Sequence, residues 1–300
     1  MKRLFTFGCS FTNYNWPTWA DLLGQEYLPL YYNWGYPGLG NRAIAERVAE
    51  CHARMDIGPE DTVVVQWSSP LRNDYMKFDL RTTTEGTKWK THGSIFSKEN
   101  SRIYDRKWIA DFWDEKAYLV HTLNNIILTI GILESTGCSW RMTAMNDITL
   151  VGNELSERTF GGEYQPKGLK HFWELDHSLD FYRELIWEKH KDKWVDDVIN
   201  VVFDTPELCW AFDFDKTRDI EKTYPVKDGK WEEAHPTIRQ HAIWMLGLKE
   251  SLGLKPELTQ EQLNLIKEVE GLKDSTSTFQ QFEKGIMDTE WFISRQYRGL

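Results

Sequence analysis

Close to the amino terminus, the stretch LFTFGCSFT (4–12) runs from an apolar segment through Gly8 straight into Cys9, Ser10 and Thr12. Two nucleophilic side chains therefore stand side by side at a strand-to-loop junction. A serine hydroxyl attacks carbonyl carbon only when a base removes its proton, and that base is usually a histidine steadied by a carboxylate. The required pair stands near the other end of the chain, in KWEEAHPTIRQHAIW (230–244), where Glu232, Glu233 and His235 precede a helix starting near Pro236. Each half alone is an ordinary loop. Together they point to acyl transfer, with Ser10 as nucleophile and His235 as general base. Cys9 is the rival nucleophile, since a thiol of lowered pKa would react. Successive strand side chains point to opposite faces, so Cys9 and Ser10 are not expected both to face one site, and Ser10 is preferred.

Other chemistries find less support. HFWELDH (171–177) holds the ligand types His171, Glu174, Asp176 and His177, but their spacing matches no metal motif, and no metal is expected. GYPGLGN (35–41) has neither a phosphate-loop Lys-Ser/Thr pair nor a dinucleotide fingerprint, so no cofactor is implied.

The elements that must position Ser10 and His235 alternate. Leu4–Phe7 is a short apolar strand, 17–26 has helical spacing with Pro17 near its first turn, and Tyr31–Trp34 is a second strand. NRAIAERVAECHARM (41–55) places Ile44, Val48 and Cys51 on one helix face. TVVVQW (62–67) reads as a strand buried on both sides. This order predicts an α/β fold, a three-layer α/β/α sandwich around a parallel sheet, with ligands bound beyond the carboxyl ends of the strands. Residues 75–115 read as an inserted loop region or lid, 115–136 as a helix, 138–145 as a strand, 146–180 as irregular and 181–200 as helical. The stretch 238–253 is a further amphipathic helix, and two short helices are expected over 259–271 and 277–287.

On these residues the chain resembles the SGNH (GDSL-like) hydrolase family, whose fold is flavodoxin-like. GCSFT (8–12) is similar to the family's first block, with Cys9 where many members carry aspartate. NWGYPGLGN (33–41) is similar to the second, the segment after TVVVQW to the third, and EEAHP (232–236) to the last, D-x-x-H-P, with Glu for Asp. The resemblance covers about 1–79 and 225–253. It implies a domain over 1–253 with a large insertion at about 80–224, and a helical carboxyl-terminal extension over 254–300. It also implies Ser10 as nucleophile, His235 as base and Glu232 as orienting carboxylate, with Glu233 or Asp228 as substitutes. The oxyanion hole would use the amides of Ser10 and Gly38 and a third donor. Where the family has asparagine this chain has Ser68, with Asn73 a few residues on, and Arg72 is a candidate for an anionic substrate group. The implied activity is ester hydrolysis through an acyl-serine intermediate. The alternative is a non-catalytic binding or structural protein on the same scaffold. Members with GCSFT-type blocks occur among phage-encoded proteins.

Composition narrows the partners. The 300 residues carry a formal net charge of −10, which opposes non-specific binding to nucleic acid. The four cysteines are widely spaced with no CxxC pair, as in a reducing compartment. The apolar run before Gly8 is too short for a signal peptide core, and 117–133 reads as a buried helix, so a cytoplasmic or virion-associated protein without membrane association is expected. Fifteen tryptophans serve a core or a sugar-binding cleft. The expected partner is a small-molecule or carbohydrate ester, with short O-acyl groups on carbohydrate favoured. Oligomeric state is left open.

Overall fold

All four residues of β1 (Leu4–Phe7) are buried, as are all six of β3 (Thr62–Trp67). A strand can hide both faces only when helices cover the sheet on both sides. The computed structural model, which describes residues 2–76, 89–95, 104–154, 167–198, 210–213, 226–227, 230–233 and 235–294, shows that arrangement. After β1 come α1 (Trp19–Gly24), β2 (Tyr31–Asn33), α2 (Asn41–Met55) and β3. Next follow β4 (Arg72–Met76), β5 (Trp89–Ser94), α3 (Arg106–Phe112), α4 (Glu115–Thr136) and β6 (Ser139–Ala144). The main sheet is parallel throughout, in the order β2-β1-β3-β6. Its strand order reverses at β1, so a crevice opens beyond the ends of β1 and β3, where ligands bind in such sheets.

Helices α2 and α4 pack together on one face of the sheet, and α1 packs on helix Ile238–Ser251 on the other. Trp19 and Trp244 meet there at 5.1 Å between ring centroids. Helix α4 buries Leu119, Leu123, Ile126, Ile130 and Leu133, the three-to-four spacing of an amphipathic face. By length and composition it is also the one helix among the described residues apolar enough to cross a membrane.

Outside the main sheet the structure departs from the sequence expectation in three places. The segment read as irregular contains an antiparallel hairpin, β7 (Leu150–Glu154) with β8 (Lys167–His171), and the presumed loop region holds the β4–β5 hairpin and α3. Residues 77–88, 96–103 and 155–166 lie outside the described residues. The helix expected over 181–200 is broken instead. One α-turn (Asp180–Arg183) passes into a π-turn (Glu184–Glu188), and the chain then extends so that Trp194 pairs beside Met142 of β6. Trp194 stacks on Trp187 at 5.2 Å and its indole N–H donates to the Ile186 carbonyl at 2.9 Å. That local bond ends the helix.

The last helices, Gln260–Asp274, Phe279–Met287 and Glu290–Ser294, join the main core through Leu265, Ile266, Val269, Phe279, Phe282 and Ile286. They are pinned as well as packed. Gln262 Nε2 donates to the Leu22 carbonyl at 2.8 Å, and the buried Lys249 of helix Ile238–Ser251 donates to the Glu257 carbonyl just ahead of them at 2.5 Å.

His241, on helix Ile238–Ser251, is 1% exposed, and its Nδ1 has no hydrogen-bond partner. Burial, followed by the neighbouring His235, pushes its pKa down to about 3 from an ordinary 6.5. Between those values the unfolded chain binds the proton and the folded chain does not, so stability is lost as pH falls through that window. Urea unfolding at pH 7 and pH 4.5 should show the wild type losing about 2 kcal/mol more than His241→Leu over the same interval.

Candidate active site

The turn after β1 is short and tightly tied. The Cys9 carbonyl accepts from the amides of Thr12 (3.0 Å) and Asn13 (3.1 Å), closing one helical turn around Ser10. The Thr12 hydroxyl donates to Gln66 Oε1 of β3 at 2.6 Å, and the Thr12 carbonyl accepts from Thr18 Oγ1 at 2.6 Å and Asn33 Nδ2 at 2.9 Å. Asn13 Nδ2 reaches the Gly35 carbonyl at 2.7 Å. Position 8 has to be glycine for a reason of space, because a Cβ there would lie 2.1 Å from Thr12 Oγ1.

The histidine comes from an equally defined junction. Thr237 caps helix Ile238–Ser251 in a capping box with Gln240, which sets where the helix begins and leaves His235 and Pro236 in the approach to it. Upstream, β11 (Lys230–Glu232) pairs with β9 (Ala211–Asp213), and the Glu233 amide donates to the Trp210 carbonyl at 2.8 Å. The two junctions are joined directly, for Trp16 Nε1 donates to the Pro236 carbonyl at 3.1 Å.

Ser10 Oγ lies 2.9 Å from His235 Nε2, and His235 Nδ1 lies 2.6 Å from Glu233 Oε1. A neutral imidazole has one donor and one acceptor nitrogen. With the carboxylate at Nδ1, the proton sits on Nδ1 and Nε2 is left to accept from the serine. Glu233 is 2% exposed, and the same oxygen also accepts from the His235 backbone amide at 3.2 Å. The carboxylate on the imidazole is thus Glu233 and not Glu232. Glu232 is the last residue of β11, paired opposite Ala211, while Glu233 lies just past the strand end, where the chain turns towards His235. Asp228 lies outside the described residues.

The remaining candidates divide. Cys9 is wholly buried in the main core cluster. Gly38 sits in a turn at φ +83°, a left-handed conformation that favours glycine. Among the described residues the amides of Ser10 and Gly38 donate to no protein acceptor. Ser68 is 0% exposed, and its backbone amide and carbonyl are both held by the Asn41 side chain, at 2.7 and 2.8 Å. Its hydroxyl has no partner. Asn73, in β4, has its carbonyl engaged by Tyr104 OH at 3.2 Å. Arg72 donates through Nη1 to the Leu39 carbonyl at 2.9 Å, and Asp74 accepts from the Gly40 and Ala43 amides at 2.9 and 3.1 Å, so β4 braces the Gly38 loop.

Comparison with known proteins adds little to this geometry. No protein-family model matches the chain, and no curated protein matches its sequence. Among solved structures it is similar to a candidate acylhydrolase from Bacteroides fragilis, at a TM-score of 0.39 and 13% identity over 84% of this chain and 86% of that one. Likeness at that level says nothing about chemistry.

Sequence reasoning missed the residues that surround the imidazole. Tyr14 stacks on His235 at 3.7 Å with 18° between the planes, Phe11 meets the ring edgewise at 5.5 Å, and Trp16 stands perpendicular at 6.5 Å. Their only signal was the run FTNYNW beside the nucleophile. Asn41 was missed also, hidden as the first residue of an unremarkable amphipathic helix. In the segment weighed for metal, His171 bonds Thr149 Oγ1 at 2.7 Å and stacks on Trp173, while Asp176 pairs with Lys116 and accepts from the Ser178 amide. Trp16, Trp19, Trp34, Trp67 and Trp244 are core residues.

Gly8→Ala should lower stability by about 1–3 kcal/mol through overpacking against Thr12. The same change in a Thr12→Ala background should cost less than the sum of the two single changes, as read from a double-mutant cycle of urea midpoints.

Proposed function

We propose that this protein is a serine hydrolase of the SGNH type that cleaves an ester through an acyl-serine intermediate. The observation that carries the reading is the continuous line Ser10 Oγ–His235 Nε2–His235 Nδ1–Glu233, with spacings of 2.9 and 2.6 Å and the carboxylate buried. In the proposed reaction Ser10 Oγ attacks the ester carbonyl carbon as Nε2 takes its proton, and the carbonyl π electrons move onto oxygen. Collapse of the tetrahedral intermediate breaks the bond to the leaving alkoxide, which takes the proton from Nε2. Water then attacks the acyl-serine, gives its proton to Nε2, and Ser10 departs with that proton restored. Glu233 stabilises the imidazolium present between these transfers.

The amides of Ser10 and Gly38, which have no protein acceptor among the described residues, supply two donors to the oxyanion; the Ser68 hydroxyl is third by position in the chain but has no accessible surface in this conformation. In register, Phe7 pairs with Val65, so Ser68 stands three residues after Val65 as Ser10 stands three after Phe7, although β3 itself runs on to Trp67. A donor of this kind is typically worth about 3 kcal/mol in the transition state. The substrate proposed is a short O-acyl ester, with carbohydrate as the favoured carrier on the strength of the aromatic-rich insertion. A virion or host-modifying setting belongs to the same proposal.

A second reading is a binding or structural protein on this scaffold. It is favoured by the 6% exposure of Ser10 and by serine in place of the usual third-donor asparagine.

Intact-mass labelling with a fluorophosphonate separates the two. Hydrolase chemistry should give one adduct that disappears in Ser10→Ala and persists in Cys9→Ala. Glu233→Gln should slow labelling by about 10²–10⁴-fold, an effect of the size seen when a triad carboxylate is lost, whereas Glu232→Gln should leave it nearly unchanged. A folded wild type that takes no adduct would establish the binding reading. An active protein inert towards acetylated sugars would remove the carbohydrate assignment alone.

A further inference from the structure

We propose that Tyr14 is a positioning residue for His235, its ring fixing the plane of the imidazole and favouring the protonated form needed between the two proton transfers. This rests on the reading of His235 as the base. The phenol ring lies flat on the imidazole at 3.7 Å and 18°. It is itself held, since Trp16 meets it edge-on at 4.6 Å and 90°, and Trp16 is tied to the histidine loop through Pro236. The imidazole is therefore bounded on one face by Tyr14, at its edges by Phe11 and Trp16, at Nδ1 by Glu233 and at Nε2 by Ser10.

The face of an aromatic ring carries negative electrostatic potential, which attracts a cation lying over it more than it attracts the neutral ring. Glu233 and Tyr14 both favour the imidazolium. The other titratable group in the vicinity is His241, which is buried, neutral at working pH and packed on Phe11. Glu233 lies 2.6 Å from Nδ1 and sets the tautomer of the ring. It leaves rotation about the Nδ1–carboxylate axis less restricted, and a stacked partner is what blocks that rotation. Tyr14 thus supplies what the carboxylate does not.

The test is an NMR titration of the full chain carrying isotope-labelled histidine, with the His235 signal assigned by its loss in His235→Gln. Tyr14→Leu should lower the His235 midpoint by roughly 0.4–1.5 pH units, the range that a cation–π contact supports. Tyr14→Phe, which keeps the ring face, should hold the wild-type midpoint. If Tyr14→Leu does not fold, as judged by the amide spectrum, Tyr14→Met serves in its place with the same expected fall. An unchanged midpoint in the aliphatic variant overturns the proposal, as does a fall in Tyr14→Phe equal to that in Tyr14→Leu, which would assign the effect to the hydroxyl. The readout needs no substrate. A midpoint shift in a protein that takes no fluorophosphonate adduct would uphold the Tyr14 contact while removing the hydrolase reading.

Discussion

The contact between Ser10 Oγ and His235 Nε2 joins residues 225 positions apart, and every other feature of the site either brings its two ends together or sets their chemistry. One end is delivered by β1, whose complete burial fixes where the strand stops and where the turn begins. The other is delivered by the cap of a helix packed on α1. A single hydrogen bond is worth only about 1 kcal/mol net, so it does not hold these elements in place. Its geometry is a product of the packing. Trp16 expresses this most directly, since it belongs to the Ser10 loop, is wholly buried, and donates to the carbonyl next to the histidine.

The polar groups around the site follow a division of labour. Thr12, Asn13, Thr18 and Asn33 spend their hydrogen-bonding capacity on backbone and on Gln66, holding the loop shape. Arg72, Asp74 and Asn41 do the same for the Gly38 loop and for Ser68. Among the described residues, the amides of Ser10 and Gly38, the Ser68 hydroxyl and Gln66 Nε2 have no protein partner.

Much of this was legible in the sequence for a physical reason. A strand buried on both faces announces itself by an unbroken β-branched run, as in TVVVQW, and helix α2 by its spaced apolar residues. Ser10 and His235 were legible because each sits at a junction marked by glycine or proline. The carboxylate was not, because Glu232 and Glu233 are adjacent and differ only in which side of a strand end they occupy. That depends on β11 pairing with β9, a contact between segments with little apolar pattern. The hairpins β4–β5 and β7–β8 were missed likewise, since charged and polar strands such as Lys167–His171 show no clean alternation. The aromatic surround of His235 is a tertiary fact with no local signature.

The way the last helices are pinned has a bearing on synthesis. Asn15 bonds Glu283 at 2.8 Å, and Trp16 packs against Phe279 and Phe282. The Ser10 loop therefore finds its final wall only in the last quarter of the chain. At ordinary translation rates of roughly 5–20 residues per second, the turn bearing Ser10 leaves the ribosome on the order of ten seconds or more before its histidine exists. During that interval Trp16 has Tyr14 but lacks Trp210, Phe279 and Phe282, Phe11 lacks His235 and His241, and Ser10 has no imidazole beside it. Until residue 283 is made, one wall of the Ser10 loop is missing.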